Sequence, residues 1–160
     1  MCGGRIVVRS GTKWGKMMFI GQYRHSLDSK NRLIIPAKFR DGVGSEFIVT
    51  KWLDGCLTIY AQDKFEEMIA KLQRIPATKS EARQMLRNVT SYATECSLDS
   101  QGRIQLPQFL IGAVKIQKAC VIVGVADHVE IWPEETWDSY DEEASASFES
   151  VAETLTEYLQ

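Results

Sequence analysis

One segment of twelve residues occurs twice. His25 to Pro36 reads H-S-L-D-S-K-N-R-L-I-I-P, and Cys96 to Pro107 reads C-S-L-D-S-Q-G-R-I-Q-L-P, 71 residues later and without a gap. Six of the twelve positions are identical: Ser26/Ser97, Leu27/Leu98, Asp28/Asp99, Ser29/Ser100, Arg32/Arg103 and Pro36/Pro107. The apolar pairs Leu33/Ile104 and Ile35/Leu106 extend the match. Self-similarity at a fixed offset means two copies of one structural plan. The copies continue with a slip of one or two residues. Phe47-Ile48-Val49-Thr50 resembles Cys120-Val121-Ile122-Val123, and Leu57-Thr58-Ile59-Tyr60 resembles Val129-Glu130-Ile131-Trp132. Each copy then reaches an acidic helix start, at Asp63-Lys64-Phe65-Glu66 and Pro133-Glu134-Glu135-Thr136. The shared plan is strand, turn, strand, two more strands, then a helix.

Turn chemistry supports the strand boundaries. Asn31 and Gly102 hold equivalent turn positions, and both residue types tolerate the positive φ that a tight hairpin commonly requires. Asp28 and Asp99 can accept hydrogen bonds from backbone N–H groups two or three residues on. Asp54-Gly55 and Asp127-His128 mark a second hairpin in each copy. Between the copies, Asp63-x-x-Glu66 and Thr78-x-x-Glu81 read as capping boxes. They precede Phe65, Met68, Ile69 and Leu72, then Ala82, Met85, Leu86 and Val89, at helical spacing, with Pro76 between them. At the end of the chain, Phe148, Val151, Leu155, Tyr158 and Leu159 form an apolar stripe among Glu149, Glu153 and Glu157. The expectation is a helix packed on the domain, with a partner-binding or partly disordered end as its competitor. The organisation expected is a basic flexible extension over 1–17, a first repeat with helix over 18–75, a linking helix over 76–92, a second repeat with helix over 93–144, and an acidic helix or tail over 145–160. Met17 or Met18 is a candidate true start.

The net charge of −2 hides a gradient. Residues 1–40 carry nine Lys/Arg against Asp28 alone, and residues 120–160 carry eleven acids and no Lys or Arg. Such asymmetry implies a front that faces a polyanion and an acidic rear. A composition of 44% hydrophobic and 25% charged residues excludes a mainly disordered chain. The apolar runs are strand-length, too short to span a bilayer. Residues 1–18 lack the continuous apolar core of a secretory signal, so a reducing cytoplasm fits best. Cysteines stand at 2, 56, 96 and 120 with no C-x-x-C pair, and neither His25 nor His128 lies at ligand spacing from one, so no metal or cofactor is expected. Cys56 and Cys120 read as buried thiols.

No G-x-S-x-G, H-E-x-x-H or Walker loop is present. A small enzyme using His25 with Asp28 finds no support in the spacing, because the counterpart of His25 is Cys96. The first hairpin and its flanks instead gather Arg24, Lys30, Arg32, Lys38 and Arg40 within seventeen positions. A basic cluster on a projecting hairpin can enter a groove of double-stranded DNA or neutralise phosphates. Arg is the better base reader because its planar fork donates two hydrogen bonds to guanine. In the second hairpin Arg103 matches Arg32, but Gln101 stands for Lys30 and Phe109 for Lys38. Arg32 can also pair with Asp28, which would orient it rather than withdraw it. On these features DNA binding is favoured over a generic binding module.

Several segments resemble the MraZ family: Met18-Phe19-Ile20-Gly21-Gln22-Tyr23, Leu27 to Pro36, Leu53-Asp54-Gly55-Cys56-Leu57, Ala93-Thr94-Glu95-Cys96, Asp99 to Ile104 and Val129 to Trp132. The similarity spans about residues 18–140. It implies an α+β fold with an internally duplicated, swapped-hairpin, β-barrel-like core of the SpoVT-AbrB type and flanking helices. It further implies a DNA-binding regulator that assembles into rings and binds repeated boxes upstream of the bacterial division and cell-wall gene cluster, usually repressing it. The family's D-x-x-x-R segments form the DNA-facing surface, which carries over to Asp28, Arg32, Asp99 and Arg103. Two departures stand out: Asn31 where the family usually has Gly, and the basic residues 1–16 before the family's usual start. The rival is a ring-forming interaction scaffold without specific DNA binding.

Overall fold

The computed structural model describes residues 18–160. The basic extension expected over 1–17 lies outside them. The first copy comprises β1 (Gln22–Ser26), β2 (Arg32–Ile34), α1 (Ala37–Val43), β3 (Glu46–Lys51), β4 (Leu57–Ala61) and α2 (Gln62–Gln73). After α3 (Ser80–Tyr92) come β5 (Thr94–Ser97), β6 (Arg103–Gln105), α4 (Gln108–Val114), β7 (Ala119–Val125), β8 (His128–Pro133), α5 (Glu134–Ala146) and α6 (Phe148–Thr154). The fold is α+β. An antiparallel six-stranded sheet runs β1-β7-β8-β4-β3-β5, and β2 and β6 make a separate two-stranded ribbon.

The copies exchange strands. β1 pairs with β7, aligning Ser26 with Ala119, and β5 pairs with β3, aligning Ser97 with Glu46. These two registers are equivalent under the sequence repeat. In the ribbon Leu33 faces Ile104, and in the sheet Thr58 faces Glu130. Each of these is a residue opposite its own counterpart, so one pseudo-two-fold axis passes through both pairs. The strands flanking each D-x-x-x-R turn therefore do not pair with each other, unlike the simple hairpin expected from turn chemistry. Each turn instead carries the chain from the sheet into the ribbon.

Period-2 alternation sorts the sheet residues onto two faces. One face holds Phe47, Val49, Ile59, Ile122 and Ile131 and is covered by Leu33, Ile35, Phe39, Ile104, Leu106 and Leu110 from the ribbon and the short helices. Phe39 meets Phe19 and Tyr23 edge-on, at ring separations of 5.7 and 5.4 Å. The other face carries Cys56, Val121, Val123 and Trp132, with Trp52 and Trp137 packed on them.

Three local expectations are corrected. α1 and α4 were not foreseen: each begins after the repeated proline and buries a short apolar stripe, Phe39 and Val43 in one, Leu110, Ile111 and Val114 in the other. The capping boxes do not form, because α2 starts one residue before Asp63 and α3 two residues after Thr78, and neither helix has a side-chain cap. The tail is helical but does not pack on the domain; α6 buries no residue, and Phe148, Val151 and Leu155 are 71%, 50% and 46% exposed. α5 is anchored near its start, where Trp137 and Tyr140 lie 5.2 and 4.9 Å from Trp132, and the chain beyond has no sheet beneath it.

Candidate nucleic-acid interface

The two D-x-x-x-R turns have the same internal wiring. Asp28 Oδ1 accepts the N–H groups of Lys30 and Arg32, both at 2.9 Å, and Asp28 Oδ2 accepts Arg32 Nε at 2.7 Å. Asp99 Oδ1 accepts the N–H groups of Gln101 and Arg103, both at 2.9 Å, and Asp99 Oδ2 accepts Arg103 Nε at 2.8 Å. The Arg32 N–H bond, opposed by desolvation and helped by the guanidinium, holds the Asp28 carboxyl down at about 2. The matching bond from Arg103 lowers Asp99 from its ordinary value. Both carboxylates therefore stay ionised throughout the neutral range, and each serves as a turn closer.

This wiring uses each arginine by its Nε. Among the described residues nothing hydrogen-bonds the terminal nitrogens of either guanidinium; Arg103 Nη1 lies 3.9 Å from Asp28 Oδ2 as an ion pair across the repeats. The side chains are 30% and 23% exposed, enough to present an edge and too little to swing freely. Arg32 and Arg103 line one groove of about 500 Å³ with Glu95, Asp99 and Gln105.

The turns brace one another. Ile35 N–H donates to the Gly102 carbonyl at 3.0 Å and Leu106 N–H to the Asn31 carbonyl at 2.9 Å. Gln105 Nε2 donates to the Lys30 carbonyl at 2.9 Å, fixing the first turn from the second copy. Asn31 and Gly102 both take positive φ, 60° and 76°. The departure at Asn31 is thus accommodated, and its side-chain amide reaches Gln108 Oε1 at 3.4 Å. Gly102 is a stricter requirement, because a Cβ there would collide with the Arg40 guanidinium.

The remaining basic candidates do not share this surface equally. Lys30 and Lys38 are exposed, at the first turn and on α1 respectively. Arg40 is different: its Nε donates to the Ile35 carbonyl at 2.8 Å while its guanidinium covers Gly102. It is a strut from α1 of one copy to the turn of the other. Arg24 is drawn away altogether. β1 alternation places it on the α5 side, where it bonds Glu134 at 3.1 Å and Asp138 at 2.8 Å, and those acids raise its pKa. Sequence spacing treated these five residues as one cluster. The unforeseen helix α1 and the alternation of β1 separate them. Gln105 carries no local signal of this role, because its bond to Lys30 depends on a partner 75 residues away.

His25 sits in β1 opposite Cys120 and is not hydrogen-bonded to Asp28 among the described residues. Burial raises Cys96 to about 11 and Cys120 to about 12, and pushes Cys56 up further. Among the described residues no cluster of His, Cys, Asp and Glu could hold a metal ion, and no helix is long and apolar enough to cross a membrane.

The architecture defines a class: a single-chain pseudo-dimer with two arginine-bearing turns side by side. The family model described as MraZ protein matches residues 18–88 and again 90–159. A Desulforamulus reducens protein named Transcriptional regulator MraZ is 49% identical over 142 residues, covering 89% of this chain and 100% of its own length. Proteins with the same name from Natranaerobius thermophilus and Ligilactobacillus salivarius are 47% and 45% identical over 141 residues, each covering 88% of this chain and 99% of their own. The chain belongs to the MraZ family.

Proposed function

We propose that the protein is a sequence-specific DNA-binding transcriptional regulator, docking its paired turns on double-stranded DNA. The carrying observation is that Arg32 and Arg103 stand in one groove, each clamped by its Nε and neither, among the described residues, hydrogen-bonded at its terminal nitrogens. A guanidinium held this way offers its remaining edge to a base or a phosphate with little entropy left to lose. Lys30 and Lys38 would add phosphate contacts, while Arg40 positions the second turn and Arg24 takes no part. The exchanged strands support reading the core as the swapped-hairpin, SpoVT-AbrB type.

The reading extends to repression of the division and cell-wall gene cluster through repeated promoter boxes, by a homo-oligomeric ring in the cytoplasm at the nucleoid. Several modules on one assembly would raise effective concentration on spaced boxes. The test is footprinting on the DNA upstream of the protein's own gene. Protection at spaced repeats is expected, with Arg32→Ala weakening it about a hundredfold at unchanged assembly size. Undiminished protection by Arg32→Ala would sink the turn mechanism. The uncovered C-terminal face favours a second reading, an interaction scaffold without specific DNA binding, and complete absence of protection would support it.

A further inference from the structure

The C-terminal face is acidic, apolar and bare. Tyr140 on α5, Phe148 and Val151 on α6, and Leu155 and Leu159 just beyond it line a groove of about 530 Å³. Residues 139–160 contribute six acids and no Lys or Arg. A groove of this kind calls for an occupant that is apolar at its centre and basic at its rim. It disfavours a symmetric contact with its own copy, because identical acidic rims would face each other.

The chain itself carries a surface of that description. The turn from α2 to α3 projects Ile75, 43% exposed, followed by Pro76. Lys71, Arg74, Lys79 and Arg83 surround it, against Glu81 alone between 71 and 83. Among the described residues none of these four forms an ion pair, although Arg83 also donates to the Ala77 carbonyl at 2.7 Å. Other basic groups are committed or placed elsewhere. Arg24 is neutralised on α5, Lys51 lies 4.5 Å over the Tyr92 ring, and Lys118 sits beside the first turn, where its carbonyl accepts the Leu27 N–H. Both the groove and the tip remain exposed, so the two do not cover each other within one chain.

We infer that the acidic apolar face of α5 and α6 receives the basic α2–α3 tip of a second copy of this chain. The inference rests on the proposed reading that copies associate, and names the surfaces that do it. The contact is heterologous: every copy offers one groove and one tip. Repetition closes into a ring or runs on as a filament, and leaves the arginine turns outside the contact.

The test measures the mass of the full chain by light scattering after size exclusion, with R74E/K79E as a tip variant and E149K/E153K as a groove variant. All four positions are exposed, and circular dichroism checks the fold. The wild type is expected at a multiple of 18.1 kDa. Each variant alone should fall to a single copy. An equimolar mixture should reassemble to the wild-type mass, because the intact groove meets the intact tip and the reversed groove meets the reversed tip. The variant carrying all four changes should reassemble through the reversed charges. A single-copy wild type, a tip variant of wild-type mass, or a mixture that does not reassemble would each overturn the inference. DNA protection is followed in parallel. Unchanged assembly of the tip variant with intact protection defeats only this contact, whereas correct assembly without protection defeats only the DNA reading.

Discussion

The first and second turns can be compared almost atom for atom. Both close on an aspartate with two N–H bonds and one arginine Nε, and the distances agree within 0.1 Å. Around that common frame the chemistry diverges. The first turn displays Lys30 and an Asn31 whose amide touches α4; the second displays Gln101 and a buried Gly102 beneath Arg40. The shared D-x-x-x-R therefore sets geometry, and the neighbours decide what each turn presents. A duplicated chain can vary one presenting surface while the other keeps the frame.

The largest test of this equivalence lies on the pseudo-axis. Leu33 and Ile104 are fully buried and face each other in the ribbon. Leu33→Ala and Ile104→Ala should each cost about 2–5 kcal/mol in denaturant unfolding, and by similar amounts. Strongly unequal losses would break the two-fold description. Exchanging the turn residues should sharpen the contrast. Gly102→Asn is expected to cost about 1–3 kcal/mol, since it drives a side chain into Arg40. Asn31→Gly should change stability by less than about 1 kcal/mol. Equal effects of the two would mean that the turns are interchangeable.

Arg40 gives a smaller and more specific signal. Its counterpart is Ile111, so the strut exists once. Arg40→Met should weaken DNA binding several-fold while leaving the slope of affinity against salt unchanged, whereas Lys38→Ala should lower that slope by about one. A reduced slope for Arg40→Met would make it a phosphate contact instead.

The mildest contrast is at the second hairpin, where the first copy has Cys56 and the second His128. His128 is 8% exposed, stacks on Tyr60 at 5.0 Å, and bonds Asp127 and Glu130 at 2.9 Å each. Burial lowers its pKa, but the two carboxylates outweigh burial and the net shift is upward from 6.5. A raised folded pKa stabilises the protein below the unfolded value and loses that contribution as pH rises through the folded one. Unfolding free energy should therefore decline as pH climbs above about 6.5, the reference value for His, and His128→Gln should flatten that decline. An unaltered profile in the variant would place the titrating group elsewhere.

The repeat made much of this legible. It located the sheet strands, the equivalent turns and the helical insert, because β-branched runs and turn residues are local signals. Strand exchange is not local: a run such as Tyr23 to Ser26 suits any antiparallel neighbour, and its pairing with β7 is settled by tertiary closure. α1 and α4 are short helices whose apolar stripe fits two turns, below what periodicity resolves. Lys38 and Arg40 were accordingly read as the flank of a hairpin, and Arg40 as one cation of its basic cluster. Arg24 was misplaced for a related reason. Linear proximity to Lys30 and Arg32 says nothing about which face of the sheet a residue occupies. The acids that capture it, Glu134 and Asp138, lie more than a hundred positions downstream.

The pairing of β1 with β7 also bears on synthesis. A nascent polypeptide emerging from the ribosome has Gln22–Ser26 in solution long before Ala119–Val125 is translated. The earliest strand among the described residues thus waits, with its edge open, for one of the last. Until the second copy has cleared the exit tunnel the first has no settled place for its own beginning, so nearly the whole chain must be made before either half can finish folding.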